Sequence, residues 1–167
     1  MTEILTGRVW KFGDEINTDV LAPGVYMKGS LDQLSSHCLE SVDPKFAGSV
    51  KASDFIVAGR NFGLGSSREQ AAQVLKHLGV AAVIASSFAG IFYRNAFNWG
   101  LPAITCSSVE GIKQGHRLEV SLVSGKIVNL ETGKTINGDA TPSHLLSLID
   151  AGGLIPHLEK MLNNKNA

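Results

Sequence analysis

Residues 55–85, FIVAGRNFGLGSSREQAAQVLKHLGVAAVIA, decide how the chain is read. Phe55-Ile56-Val57-Ala58 is an apolar run too short for a helix, with the unbroken character of a strand covered on both faces. Asn61-Phe62-Gly63-Leu64-Gly65 interrupts the pattern as a glycine loop, and Ser67 to His77 carries the apolar spacing of a helix that Gly79 stops. Val80 to Ala85 repeats the buried-strand run. Beyond it, 88–98 reads as a helix up to Gly100, and Pro102-Ala103-Ile104-Thr105 as a third strand. Strand, helix, strand, helix, strand at these intervals predicts a parallel α/β layer, whose ligands bind beyond the carboxyl ends of the strands. The glycine loop lies at such an end.

Outward from this stretch, Ile4 to Trp10 reads as a first strand, followed by the polar turn Gly13 to Asp19. Ser30 is placed to cap a helix through Cys38 and Leu39, with Leu31, Leu34 and Cys38 on one face, and Asp43-Pro44 ends it. From Arg117 to Ile136 the alternating runs LEVSLV, KIVNL and KTI, separated by Ser124-Gly125 and Glu131-Thr132-Gly133, predict an antiparallel meander. Pro142 to about Leu162 reads as helical with a break at Gly152-Gly153, and 163–167 as a disordered tail. The expectation is an α/β fold, one domain over 1–162 that joins a parallel layer to a meander.

Composition narrows the function classes. A chain of 167 residues, 44% hydrophobic and 18% charged, fits one globular domain and excludes disorder, collagen and coiled coil. Fifteen basic side chains balance fifteen acidic ones, so the chain lacks the basic field that draws proteins to nucleic acid or a membrane surface. MTEILTGRVWKFGDE has no basic segment followed by an apolar one, and no window reaches the ~18 apolar residues of a membrane span, so the expected location is the cytoplasm. Cys38 and Cys106 form no CxxC pair, and none of the five histidines has the spacing of a metal site or a triad. A metal, if one is needed, must come from another chain. Both cysteines read as small buried hydrophobes, as Phe88, Ile91, Phe92 and Phe97 read as core.

Gly63-Leu64-Gly65-Ser66-Ser67-Arg68-Glu69 carries the chemistry. The glycines let the backbone turn tightly and approach a ligand, and a following helix offers free N–H groups and the positive end of its dipole to an anion. Arg68, expected in the first helical turn, opposes that dipole, and a guanidinium beside free amides suits a carboxylate or phosphate. The alternative is a Ser66–Glu69 capping box with Arg68 solvated. The loop lacks both the GK[ST] ending of a P-loop and the third glycine of the dinucleotide fingerprint, which leaves a small acid as the favoured ligand.

Together with Asn17-Thr18-Asp19 upstream and SFAGIFYRNAFNWGLP at Ser87 to Pro102, this segment resembles the small subunits of the aconitase-type hydro-lyases, over roughly Leu5 to Thr105. The resemblance implies a swivelling β/β/α domain that docks on a large subunit carrying a 4Fe–4S cluster, with no cofactor or metal bound by this chain. It implies isomerisation of a substituted malate, a di- or tricarboxylate, by dehydration and rehydration. The foremost substrate is 3-isopropylmalate of leucine biosynthesis, with homoaconitate and methylmalate or dimethylmalate as alternatives. In the family pattern Ser66 is the base and Arg68 binds a substrate carboxylate. Ser67 and Gly65 help through the loop backbone, and Asp19, beside Thr18, is linked to protonating the leaving hydroxyl; read locally, Asp19 also suits an Asx turn.

Pro23 to Ser30 matches the loop that contacts the variable substituent, which brings in Tyr26 and Lys28. An apolar residue at Lys28 would suit an isopropyl group and a basic one a further carboxylate, unless the side chain turns to solvent. Gly90 stands where the family usually has arginine. A reading of another class, a noncatalytic carboxylate-binding module, needs the same loop and Arg68 but not the Ser66 hydroxyl.

Overall fold

A computed structural model describes residues 4–166; positions 1–3 of the expected domain and Ala167 of the expected tail lie outside the described residues. The first strand, β1 (Ile4–Lys11), sits in the middle of a seven-stranded sheet. On one side it pairs in parallel with β2 (Phe55–Ala58), which is followed outward by β3 (Ala82–Ala85) and β4 (Ala103–Thr105), all parallel. On the other side it pairs antiparallel with β5 (Arg117–Ser121), then β6 (Lys126–Asn129) and β7 (Thr135–Asn137). The order is β4-β3-β2-β1-β5-β6-β7. Both expected halves, the parallel layer and the meander, are present and share β1.

The helices are α1 (Thr18–Leu21), α2 (Leu31–Ser36), α3 (Phe46–Ser49), α4 (Gln70–His77), α5 (Gly90–Asn98), α6 (Ser143–Ala151) and α7 (Leu154–Lys165). Every residue of β2 and β3 is buried, and alternate residues go to different cores. Ile56, Ala58, Val83 and Ala85 lie against helical side chains such as Leu34, Val74, Leu75, Phe92 and Phe97. Phe55, Val57, Ala82 and Ile84 lie against the meander through Leu118, Val120 and Ile127. This makes the β/β/α layering that the family resemblance implied. A strand period of two, apolar at every position, is the pattern a doubly covered strand requires.

Phe46 lies in the short helix α3, which the sequence pattern does not predict. It is fully buried and meets Trp10 and Phe12 edge-on at 5.3 and 5.7 Å between ring centroids. Covering a phenylalanine side chain completely is worth about 1.5–3 kcal/mol. These aromatic contacts tie α3 to the end of β1.

Three expectations need correction. Helix α4 starts at Gln70 rather than Ser67, because Gly65 to Arg68 are held in a loop by tertiary bonds described below. Helix α7 continues through Lys165, so 163–165 are helical rather than disordered; nothing in Asn163-Asn164-Lys165 interrupts the backbone pattern begun at Leu154. Ile91, expected in the core, is 47% exposed because α5 turns Phe92 and Phe97 inward instead, while Phe88 is half-buried. His77 at the end of α4 pairs through Nε2 with Asp32 Oδ1 of α2 at 2.6 Å. No helix among the described residues is long and apolar enough to cross a membrane.

Candidate active site

Three loops leave the carboxyl ends of β1, β2 and β3 side by side, and backbone hydrogen bonds continue the parallel pairing beyond the sheet. Gly59 N–H donates to Gly13 O at 3.1 Å, Glu15 N–H to Arg60 O at 2.7 Å, Gly63 N–H to Ile16 O at 2.7 Å and Thr18 N–H to Leu64 O at 2.9 Å. Phe62 N–H donates to Ser87 O at 3.0 Å, and Ala89 N–H donates to Phe62 O at 2.9 Å, which brings in the third loop. Asp14 pins the first loop to the second. Its Oδ1 accepts from the Arg60 backbone N–H at 2.7 Å and its Oδ2 from Arg60 Nη2 at 3.3 Å. The backbone donor is the main reason that the Asp14 carboxyl titrates below its ordinary value of 3.8.

Two positions in the second loop require glycine. Gly63 and Gly65 have φ of +83° and +118°. A Cβ on Gly65 would stand 2.9 Å from Thr18 Oγ1, and one on Gly63 would enter the Phe92 ring. Both left-handed backbone and lack of space therefore exclude a side chain.

Thr18 opens α1, whose end is capped by Asn17 Oδ1 accepting from Val20 N–H at 2.9 Å. Thr18 is buried, and its hydroxyl meets Ser66 twice: it accepts from Ser66 N–H at 3.1 Å and lies 3.3 Å from Ser66 Oγ. Arg68 reaches the same Ser66 hydroxyl from the other side. Its Nε–H donates to Ser66 Oγ at 2.8 Å, while Nη1 donates to the Ala22 carbonyl at 2.8 Å and to Asp19 Oδ1 at 3.2 Å. Asp19 Oδ1 also accepts from Gly24 N–H at 2.9 Å. Among the described residues three of the five guanidinium N–H groups are engaged, which leaves the two on Nη2 for an external acceptor. Ser66 and Ser67 are exposed, and the Asp19 side chain is 71% exposed against 25% for Arg68. The constellation is an open surface, not a closed pocket.

This geometry revises the local reading of Arg68. With α4 starting at Gln70 and Glu69 making no side-chain cap bond, there is no Ser66–Glu69 capping box, and Arg68 precedes the first turn. Its charge is set against Asp19, 49 residues away, rather than against the helix dipole. Thr18, Asp19, Gly65, Ser66 and Arg68 form one network, and Ser67 joins it through its carbonyl, which accepts from Asn95 Nδ2 at 3.2 Å. Tyr26 and Lys28 are not part of it. Tyr26 stacks on His37 at 3.6 Å between ring centroids, and Lys28 is exposed with no ion pair among the described residues. Sequence reasoning missed the Ala22 carbonyl, a backbone group with no sequence signal, and Asn95, whose place on α5 could have been noticed from the motif that contains it.

Among the described residues no group of three or more His, Cys, Asp or Glu side chains gathers as a metal site. Cys38 and Cys106 are buried in different cores, and burial pushes both thiols up, so the donor set of this chain does not fit an iron–sulfur cluster.

Residues 20–108 match the family described as Aconitase C-terminal domain. The chain belongs to that family, in the branch of separate small subunits of aconitase-type hydro-lyases. It is 48% identical to the 3-isopropylmalate dehydratase small subunit 1 of Thermotoga maritima, over 94% of this chain and 96% of that one. It is also 48% identical to the methanogen homoaconitase small subunit of Methanothermobacter thermautotrophicus, over 98% and 95% of the two chains. The crystal structure of 3-isopropylmalate dehydratase from Methanocaldococcus jannaschii matches at a TM-score of 0.91 and 42% identity, covering 98% of this chain and 99% of that one. Relatives with different named substrates stand at the same identity, so global similarity does not choose between them.

Proposed function

We propose that this chain is the small subunit of a cytoplasmic iron–sulfur hydro-lyase that interconverts 3-isopropylmalate and 2-isopropylmalate by dehydration and rehydration. The observation that carries it is the Ser66 hydroxyl, held between Thr18 Oγ1 and Arg68 Nε with Arg68 Nη2 left open beside it. Ser66, as its alkoxide, takes the proton from the carbon alpha to a substrate carboxylate. A cation donating at 2.8 Å is what an alkoxide needs to exist near neutral pH. Arg68 Nη2 receives the carboxylate of the malate portion, which fixes the reacting carbon over Ser66. Asp19 holds the guanidinium through Oδ1, and its Oδ2, having taken up a proton from solvent before substrate is enclosed, passes that proton to the leaving hydroxyl and is left as the carboxylate while water departs. Lewis-acid chemistry at that hydroxyl belongs to a 4Fe–4S cluster on the large subunit. The exposure of Ser66 and Asp19 supports such a partner, since shielding the site from bulk water strengthens its electrostatic interactions.

The test is anaerobic turnover with the cluster-loaded large subunit on 3-isopropylmalate, homoaconitate and short alkylmalates, run beside Ser66→Ala. A loss of about 10²–10⁴ in kcat for the variant, with substrate still bound, supports Ser66 as the base. Turnover by a folded, loaded Ser66→Ala complex at the unaltered rate refutes that assignment, and no turnover of any of these acids by the unaltered complex favours the noncatalytic binding module. A second substrate reading rests on Lys28, an exposed cation in the loop after Asp19. It suits a substrate with a further carboxylate, and a preference for homoaconitate in the same assay would select it.

A further inference from the structure

We propose that the outer face of α7 is a docking leg for the large subunit, an extension of the surface that closes the Ser66 site; this rests on the small-subunit reading above. Helix α7 packs on α5 and α6 yet contributes no buried residue. Ile155, Leu158, Met161 and Leu162 are each between 43% and 63% exposed, and their spacing puts them on one side of the helix. Four large apolar side chains stand grouped on one exposed helix face rather than scattered singly, which is the surface a partner would cover.

Size and position say what covers it. A 12-residue helix is about 18 Å long and about 10 Å wide, so its face offers about 200 Å², against roughly 800 Å² per partner in a stable interface. The stripe alone is too small to hold any stable partner, so whatever covers it also covers neighbouring surface. Its first member leads to the site: Leu154 and Ile155 line one cleft with Glu69 and Trp99, and Glu69 directly follows Arg68. Two further exposed apolar residues stand around the same loop. Ile91 is one turn before Asn95, whose side chain holds the Ser67 carbonyl, and Val25 follows Gly24, whose N–H holds Asp19. A partner broad enough to cover Ser66 and Arg68 therefore also meets Val25, Ile91 and Ile155, and continues onto α7.

The experiment measures binding of the cluster-loaded large subunit to the unaltered chain and to Leu158→Glu/Leu162→Glu. Affinity is read by calorimetry, kcat at saturating small subunit, and the mass of each lone chain by light scattering. Ile155→Gln, a neutral change at the most exposed of the four positions, serves as a second variant should the double one fold poorly. The expected result is a Kd raised at least thirtyfold in the double variant, about 2 kcal/mol at about 1.4 kcal/mol per tenfold, and severalfold in Ile155→Gln. The kcat of the saturated complex and the mass of the lone chain stay unchanged. A Kd within twofold of the unaltered chain in folded variants overturns the docking leg alone. A fall in the mass of the lone chain on substitution gives the face to a second copy and also overturns it. No binding of the large subunit by the unaltered chain overturns the small-subunit reading, and the docking leg with it.

Discussion

Replacing Arg68 by lysine separates the two tasks assigned to that residue. The guanidinium bonds Ser66 Oγ at 2.8 Å, the carbonyl of fully buried Ala22 at 2.8 Å and Asp19 at 3.2 Å, and it keeps Nη2 open. An ammonium has one nitrogen and cannot occupy these positions together. Structurally the loss is modest. The Asp19 carboxylate is 71% exposed, so its ion pair is worth about 0.2–1 kcal/mol, and the lysine can retain the Ala22 carbonyl, which would otherwise be left unpaired. In the proposed role of Ser66 the chemical loss is larger, because a lysine on Ala22 leaves the Ser66 alkoxide without its charged donor and lowers the fraction of the complex that carries it. Losing one such donor costs about 2.7–4 kcal/mol, a factor of about 10²–10³ in kcat. The assay is anaerobic kcat and KM, measured separately for the complex, with thermal melting and large-subunit affinity as controls. A folded Arg68→Lys complex that keeps kcat within tenfold while KM alone rises would refute the reasoning: Arg68 would then bind the carboxylate without supporting the base.

Gly65→Ala is expected to lower both stability and turnover, since a positive φ costs an ordinary residue about 1–2 kcal/mol and the new Cβ meets the Thr18 hydroxyl at 2.9 Å. At about 2–4 °C per kcal/mol, the melting temperature falls by a few degrees, and kcat falls because Thr18 no longer positions Ser66. Asp14→Asn keeps an acceptor for Arg60 but removes the charge. Because the folded-state pKa of Asp14 is depressed, its contribution is full above 3.8 and is lost as pH falls through the lower folded value. Urea unfolding should therefore show a deficit for the variant at neutral pH that closes in strong acid; a deficit that persists there contradicts the assignment. Cys38 and Cys106 are buried with raised thiol pKa values, so a thiol reagent should label neither until the chain unfolds.

The parts of the fold that are legible in the sequence are those whose physical cause is local. In β2 and β3 every side chain is buried, and the unbroken apolar runs FIVA and AVIA show it. The start of α4 is not legible, because Ser67, Arg68 and Glu69 have nothing against helix in themselves. Their loop conformation comes from Arg68 bonding partners 46 and 49 residues away, which no window contains. The end of α7 fails for the opposite reason: Asn163-Asn164-Lys165 is polar enough to read as a tail, but a helix already formed continues through polar residues without a breaker. Of the site, Thr18, Asp19, Gly65, Ser66 and Arg68 are readable as motifs, and the structure joins them. Tyr26 and Lys28 are suggested only by position along the chain, and the stack of Tyr26 on His37 shows how a neighbour in sequence can be turned toward another helix.

The central place of β1 also bears on how the chain is made. Ribosomal synthesis delivers β1 before any other described strand, yet its antiparallel partner β5 ends only at Ser121, roughly 110 residues later. At about 5–20 residues per second that is on the order of 5–20 s. During that period β2 (Phe55–Ala58) becomes available for one edge of β1 while the other edge has no partner, and an open strand edge is a template for pairing with other chains. A chain released before Arg117 would retain that edge permanently, so premature termination ahead of the meander should yield aggregates rather than a smaller folded product.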